Sequence, residues 1–248
     1  KLIHFKRITD YKDILKQEYK LIINCDPKHQ ITKKFFSNNM SKNYNSYAYT
    51  TIINHKKITN NNTAFQNFTN NGPIAFLPIS ETHTSVVYSM RVKNNLNSLD
   101  IKKIIKKYNP VYSIKKINNH SRFQLTSSNL RKYYKNNILA FGDLLHKIHP
   151  LAGQGFNMSL RDIKLLSDLI DEKTNLGLDI DNSICKDFQK NSKDKNYLFS
   201  TSIDWIYEFF NLESRINSNL LNKSVNIIGK NKIINNIFKK FADNGLRI

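Results

Sequence analysis

The sequence predicts an α/β chain that carries an inserted antiparallel sheet and ends in helices. Three observations carry that fold class. Two short apolar runs, Tyr19–Cys25 and Asn137–Phe141, read as buried strands of a parallel sheet. The first is closed by Asp26-Pro27 and the second by Gly142-Asp143. Between Tyr44 and Arg91 the β-rich runs Tyr47–Ile53, Ile74–Leu77 and Ser85–Met90 are separated by Asn, Gly-Pro and Ser-Glu breaks, as antiparallel strands are. From Ile184 onward the pattern is helical and rich in aromatics, with Trp205, Tyr207, Phe209 and Phe210.

The remaining elements follow in order. Leu2, Ile3 and Phe5 lie in a short extended run. The Asn-rich stretch Asn60–Asn71 reads as a loop. Leu99–Tyr108 has helical spacing and closes the insert, and Phe123–Leu125 is a further extended piece. A helix starts near Gly155, where Phe156, Leu160, Ile163, Leu166 and Ile170 predict one apolar face and Lys164 and Asp168 an i,i+4 pair on the other. Near the end, Ile233, Ile234, Ile237, Phe238 and Phe241 share a face with Lys232, Lys239 and Lys240 nearby. Packing on the protein's own core is the favoured reading of that face. Docking on an anionic bilayer is the alternative.

Composition narrows the class. At 248 residues and 40% hydrophobic content the chain can bury a substantial core. No apolar run approaches the roughly 20 residues that span a bilayer, and the start lacks a signal-peptide pattern. Cys25 and Cys185 lie far apart with no metal or redox spacing, which fits free thiols in the cytoplasm. His146 and His149 have no third ligand at metal spacing, so no metal site is expected. The net charge of +20 suggests a polyanion partner. Abundant Asn, as at Asn60, Asn61 and Asn62, and basic residues that look dispersed along the chain point instead to codon bias, and no nucleic-acid partner is expected.

The segment Phe141–Asp162 carries the chemistry. A strand ends in Gly142-Asp143, a turn holds Pro150, Gly153 and Gly155, and a helix begins. Three of the chain's 7 glycines fall in this window. Glycine lets backbone approach a ligand, and a helix N-terminus offers free N–H groups and a positive dipole end. A carboxylate at the tip of the strand can accept bonds from a polyol. An ordinary glycine-bearing turn stands beside this reading. The Gly153-Gln-Gly155 pair is no dinucleotide fingerprint, because Met158 stands where the third glycine is required.

Gly142-Asp143, His146, His149-Pro150, Ala152-Gly153-Gln154-Gly155, Asn157 and Arg161-Asp162 resemble the second flavin-binding motif of the class A flavoprotein monooxygenases. Within them, the hydroxylases of ubiquinone biosynthesis are most similar, with the pattern GDAAH followed by HPxAGQGxNxGxRD. Leu144-Leu145 replace the usual alanines and Ser159 a usual glycine. Residues 71–79 (NGPIAFLPI) are similar to the family's GPxAxLP strand. Asn24-Cys25-Asp26-Pro27 stands where the family has GADG, keeping the Asp and losing the Gly.

The resemblance implies a partial three-layer FAD-binding domain with an inserted substrate sheet and C-terminal helices. On it, residues 1–40 are a remnant of the FAD-binding domain and 41–125 the substrate sheet. Residues 126–178 carry the second flavin motif and 179–248 the helical region. Asp143, next to Gly142, would bind the ribityl hydroxyls of FAD, and Pro150 would lie beside the isoalloxazine. Ala152, Gly153, Gln154, Gly155, Phe156 and Asn157 would present the helix start to the pyrimidine edge. Pro73, Phe76 and Pro78 would form a wall of the substrate pocket. Pro150 and His149 are the catalytic candidates, although packing and loop hydrogen bonding is the favoured reading of His146 and His149 themselves. The activity implied is hydroxylation of a polyprenylated phenol with NAD(P)H and O2, through a flavin C4a-hydroperoxide. Its setting would be the cytoplasm or the inner face of a membrane, peripherally or in a biosynthetic complex. The family opens with a GxGxxG strand–turn–helix that this sequence lacks, so a fragment missing its N-terminal third is expected. A degenerate flavin-fold protein without catalysis is the alternative.

Overall fold

The computed structural model describes residues 10–69, 71–91, 100–150 and 153–216. Residues 2–5, Leu99, Ala152 and the C-terminal run 233–241 lie outside them. The chain divides into two compact units, one holding residues 10–41 and Ser127–Glu213, the other Lys42–Thr126 and Ser214–Ile216.

The first unit is built on a three-stranded sheet in the order β1 (Ile22–Asn24), β9 (Ile138–Ala140), β8 (Tyr134–Lys135). β1 runs parallel to β9, with Ile22 opposite Ile138 and Asn24 opposite Ala140; β8 is antiparallel. All three residues of β9 are buried, as a central strand requires. Helices α1 (Tyr11–Leu15), α2 (Gln30–Phe35), α4 (Gln154–Asn175) and, as far as Glu213, α5 (Asn182–Ile216) complete the unit. Ile31, Phe36, Tyr133, Leu139, Leu145, Leu166, Ile184 and Phe188 form its core. Helix α4 ends at the left-handed Gly177, whose N–H and that of Leu178 take up the last-turn carbonyls of Thr174 and Lys173.

The second unit is the antiparallel insert. β3 (Phe65–Thr69), β4 (Gly72–Pro78), β5 (His83–Arg91), β2 (Asn39–His55) and β7 (Ser121–Leu130) are neighbours in that order, and β6 (Ile114–Ile117) pairs with β2. The long strands β2 and β7 carry the chain between the two units. Helix α3 (Ile101–Tyr108) starts at Asp100, whose carboxylate accepts the Lys103 N–H, and packs Ile101 and Ile105 on Ile53, Ile74, Phe76 and Tyr88. Gly72 is dictated by space as well as by its φ of +134°. A Cβ there would lie 2.0 Å from the Ser89 carbonyl oxygen.

Three sequence expectations are corrected. The run Tyr19–Cys25 is not wholly buried. Ile23 points to the sheet face opposite to that of Ile22 and buried Asn24 and stays 46% exposed. The Asn-rich stretch is not all loop, because Phe65–Thr69 pairs with β4 as strand β3. The apolar face of α4 is turned from its expected position. Phe156 is 72% exposed and Ile163 52%, with Leu160 exposed between them, while Met158, Asp162 and Leu166 are buried. The basic residues are dispersed, 12 of 39 falling within Lys42–Thr126, but of the 19 acidic residues only Glu81 and Asp100 fall there, so this segment carries half of the net charge.

Candidate cofactor site

The chain leaves β9 at Phe141, whose N–H donates to the Asn24 carbonyl of β1 (2.9 Å). The parallel pairing thus fixes where the next residues begin. Gly142 follows in the left-handed region (φ +64°) and opens a single 3-10 turn, Gly142–Leu144, closed by the Leu145 N–H on the Gly142 carbonyl (2.9 Å). This turn buries Leu144 and leaves Asp143 exposed. The short strand β10 (His146–Lys147) then pairs with Asn129 and Ser128 of β7.

The chain next passes buried Ile148 and His149 to reach exposed Pro150. His149 is fully buried, and its ring lies on the Tyr207 ring of α5 with centroids 4.1 Å apart and planes 30° from parallel. Gly153, left-handed at φ +63°, is the residue before α4, and no side chain caps the helix there. The first-turn N–H groups of α4 are thus left to other acceptors. A Cβ at Gly142 or Gly153 would meet nothing within 4 Å, so both glycines border open space, whereas Gly155 lies over the Ile148 side chain at 3.9 Å. Gln154 is half-buried, and its amide oxygen accepts from Asn157 (3.1 Å). Phe156 and Asn157 are exposed.

Beneath this turn lies a network that sequence reasoning missed. His146 Nε2 donates to Asp162 Oδ2 at 2.6 Å, with both side chains almost wholly buried. Because a carboxylate can only accept, the proton of this bond sits on Nε2. Asn196 of α5 donates to both Asp162 oxygens (3.0 and 3.3 Å) and hydrogen-bonds the Tyr133 hydroxyl. Burial, reinforced by the Asp162 charge, pushes the Tyr133 hydroxyl well above the usual phenol range. The bond from His146 to Asp162 closes the loop that holds Pro150, Gly153 and Gly155 at its base. The signals available were His146, for which packing and loop hydrogen bonding is the favoured sequence reading, and the Arg161-Asp162 pair at the end of the motif. Nothing in the sequence pointed to Asn196 or Tyr133.

The structure therefore places Gly142, Asp143, Pro150, Gly153, Gln154, Gly155 and Asn157 along one turn between β9 and α4, with Ala152 outside the described residues. His149 lies beneath that turn as a buried stacking partner. Pro73, Phe76 and Pro78 are all on β4 but not on one face. Phe76 is fully buried against the α3 side, Pro78 shares its side by alternation, and Pro73 faces the other way. Among the described residues no three of His, Cys, Asp and Glu gather as a metal site.

With open space beside two left-handed glycines, an exposed carboxylate and an uncapped helix start, the turn fits a group with hydroxyls and an electronegative edge. The sequence matches the FAD binding domain family over residues 27–175, which brackets this turn. The chain belongs to that family. It is 28% identical over 189 residues to the human ubiquinone biosynthesis monooxygenase COQ6, a mitochondrial protein, covering 60% of this chain and 40% of that one. It is 29% identical over 157 residues to the Escherichia coli 3-demethoxyubiquinol 3-hydroxylase, covering 59% of this chain and 39% of that enzyme. The chain spans about two-fifths of the length of these curated relatives.

Among solved structures, p-nitrophenol 4-monooxygenase PnpA from Pseudomonas putida superposes with a TM-score of 0.68 at 12% identity, covering 92% of this chain and 60% of that one. The anhydrotetracycline hydroxylase OxyS from Streptomyces rimosus gives 0.64, also at 12% identity, over 92% of this chain and 46% of its own. These likenesses establish the fold: a mixed α/β chain with an antiparallel sheet, shared with FAD-dependent monooxygenases.

Proposed function

We propose that this chain forms part of an FAD-dependent aromatic-ring hydroxylase of ubiquinone biosynthesis, acting on a polyprenylated phenol with NAD(P)H as the electron donor. The observation that carries the reading is the turn from Gly142 to Asn157, with its two left-handed glycines and uncapped helix start, inside the matched FAD binding domain. Bound there, FAD would supply electron transfer from NAD(P)H and the activation of oxygen.

The residues have separate tasks. Asp143, exposed at the strand tip, would accept hydrogen bonds from the ribityl hydroxyls. The N–H groups at the start of α4 would hold an electronegative edge of the flavin and favour negative charge there. Pro150, exposed on the turn, would lie against the bound flavin and help exclude water. His149, buried on Tyr207, positions the loop rather than handling protons. On the insert, the side of β4 that bears Pro73, Ala75 and Leu77 is the better substrate wall, because Phe76 is committed to the α3 core.

Purification of this chain with added FAD, followed by its visible spectrum, tests the reading. A bound flavin band that is lost in Asp143→Ala and in Gly153→Val supports it. A protein that stays colourless with excess FAD favours the second reading, a flavin-fold chain without catalysis.

A further inference from the structure

We propose that the outer face of helix α3 in the insert is a docking surface for anionic phospholipid headgroups. The helix reads Ile101-Lys-Lys-Ile-Ile-Lys-Lys-Tyr108. Ile101 and Ile105 are buried and Ile104 and Tyr108 half-buried, all turned to the insert core. At 100° per residue the four lysines, Lys102, Lys103, Lys106 and Lys107, fall on the opposite side, and all four are exposed. Strand β6 follows α3 after a short loop and adds exposed Lys115 and Lys116, packing its isoleucines on the same cluster as α3. Lys56 is tied to this region by its N–H on the Ser113 carbonyl (3.0 Å).

Little opposes this charge. Asp100 lies 3.9 Å from Lys103, and Glu81 is engaged by Lys57 at 3.0 Å; these are the insert's two acidic residues. A surface that gathers so many uncompensated cations attracts a polyanion, and charge complementarity narrows the partner to a phosphate-bearing one.

Between lipid and nucleic acid, three features favour lipid. The face is all lysine, a flexible point charge suited to mobile headgroups, with no arginine to fork onto phosphates or base edges. No exposed aromatic ring lies on α3, β6 or the loop between them, so there is no platform for base stacking. That loop instead presents Val111, 59% exposed, which gives the patch an apolar tip to enter the headgroup layer. No helix among the described residues is long and apolar enough to cross a membrane. The proposal stands apart from the flavin reading.

Co-sedimentation of the whole chain with vesicles of phosphatidylcholine, with or without phosphatidylglycerol, is the test. Pelleting is expected with the anionic vesicles alone, and it should be lost at high salt. A lysine at an anionic surface contributes roughly fivefold to partitioning. Lys102→Glu with Lys106→Glu should therefore weaken binding by at least about tenfold, and the milder Lys102→Gln with Lys106→Gln should fall between that pair and the unaltered chain. Lys186→Glu with Lys190→Glu on α5 makes the same change in net charge and should leave binding nearly unaltered. Equal loss in that control would overturn the proposal, as would failure to pellet with anionic vesicles at low salt. Tighter binding to an oligonucleotide that displaces the vesicles would assign the face to nucleic acid and overturn it as well.

Discussion

Asp162 is a carboxylate at a position that helical periodicity would assign to an apolar residue. It remains there because each of its oxygens has a donor, His146 on one and Asn196 on both. Removing one partner of such a buried pair costs far more than the pair itself contributes. Asp162→Ala is expected to cost about 3–5 kcal/mol in urea unfolding, and Asp162→Asn, which keeps the shape and one acceptor, about 1–3 kcal/mol. An Ala variant within about 0.5 kcal/mol of the unaltered chain would show that the network holds nothing. The two cysteines separate in the same physical terms. Burial pushes the Cys185 thiol up to about 11, whereas Cys25 is raised less and is exposed. Alkylation of the native protein, followed by peptide mass, should therefore modify Cys25 first. The linkage sign also follows. A folded thiol that holds its proton more tightly than the unfolded one adds nothing below the ordinary thiol range near 9.0, and stability is lost as pH rises from there toward 11.

The elements show what could be read in advance and what could not. Tyr47–Ile53, Ile74–Leu77 and Ser85–Met90 fall inside β2, β4 and β5, because alternation over a half-buried sheet leaves a plain trace in the sequence. The turn from Gly142 to Gly155 was legible because glycine and proline punctuate the chain locally. Strand β3 was hidden by composition: its asparagine neighbours favour loops, yet Phe65 opposite Phe76 decides the pairing. The face of α4 was hidden for the opposite reason. Buried Asp162 breaks the apolar period, and Phe156, Leu160 and Ile163 offered a more regular stripe. The two faces predict different losses. Leu166→Ala should cost about 2–5 kcal/mol, as a core leucine does, and Ile163→Ala less than about 0.5 kcal/mol. Similar losses at both positions, measured by denaturant midpoint, would mean that the exposed stripe is covered in solution.

At the scale of the whole chain, 39 basic residues face 19 acidic ones, and the sign of the salt response can be decided from how they are placed. Ion pairs such as Lys57–Glu81 and Lys164–Asp168 join exposed side chains, and each such pair contributes about 0–1 kcal/mol that salt would weaken. The excess cations act the other way. Those of the insert, with two carboxylates among twelve basic residues, repel one another across distances comparable to the Debye length of about 10 Å at moderate salt. Screening therefore relieves more repulsion than it removes attraction, and the folded chain gains. Sodium chloride raised from low to moderate concentration should increase the thermal midpoint, and a gain of about 1 kcal/mol corresponds to about 2–4 °C at this chain length. Chloride is the salt to use, because sulfate strengthens apolar burial whatever the charge. A midpoint that falls as chloride is added would show that the pairs outweigh the repulsion, and that the lysines of the insert are compensated by carboxylates beyond those that face them here.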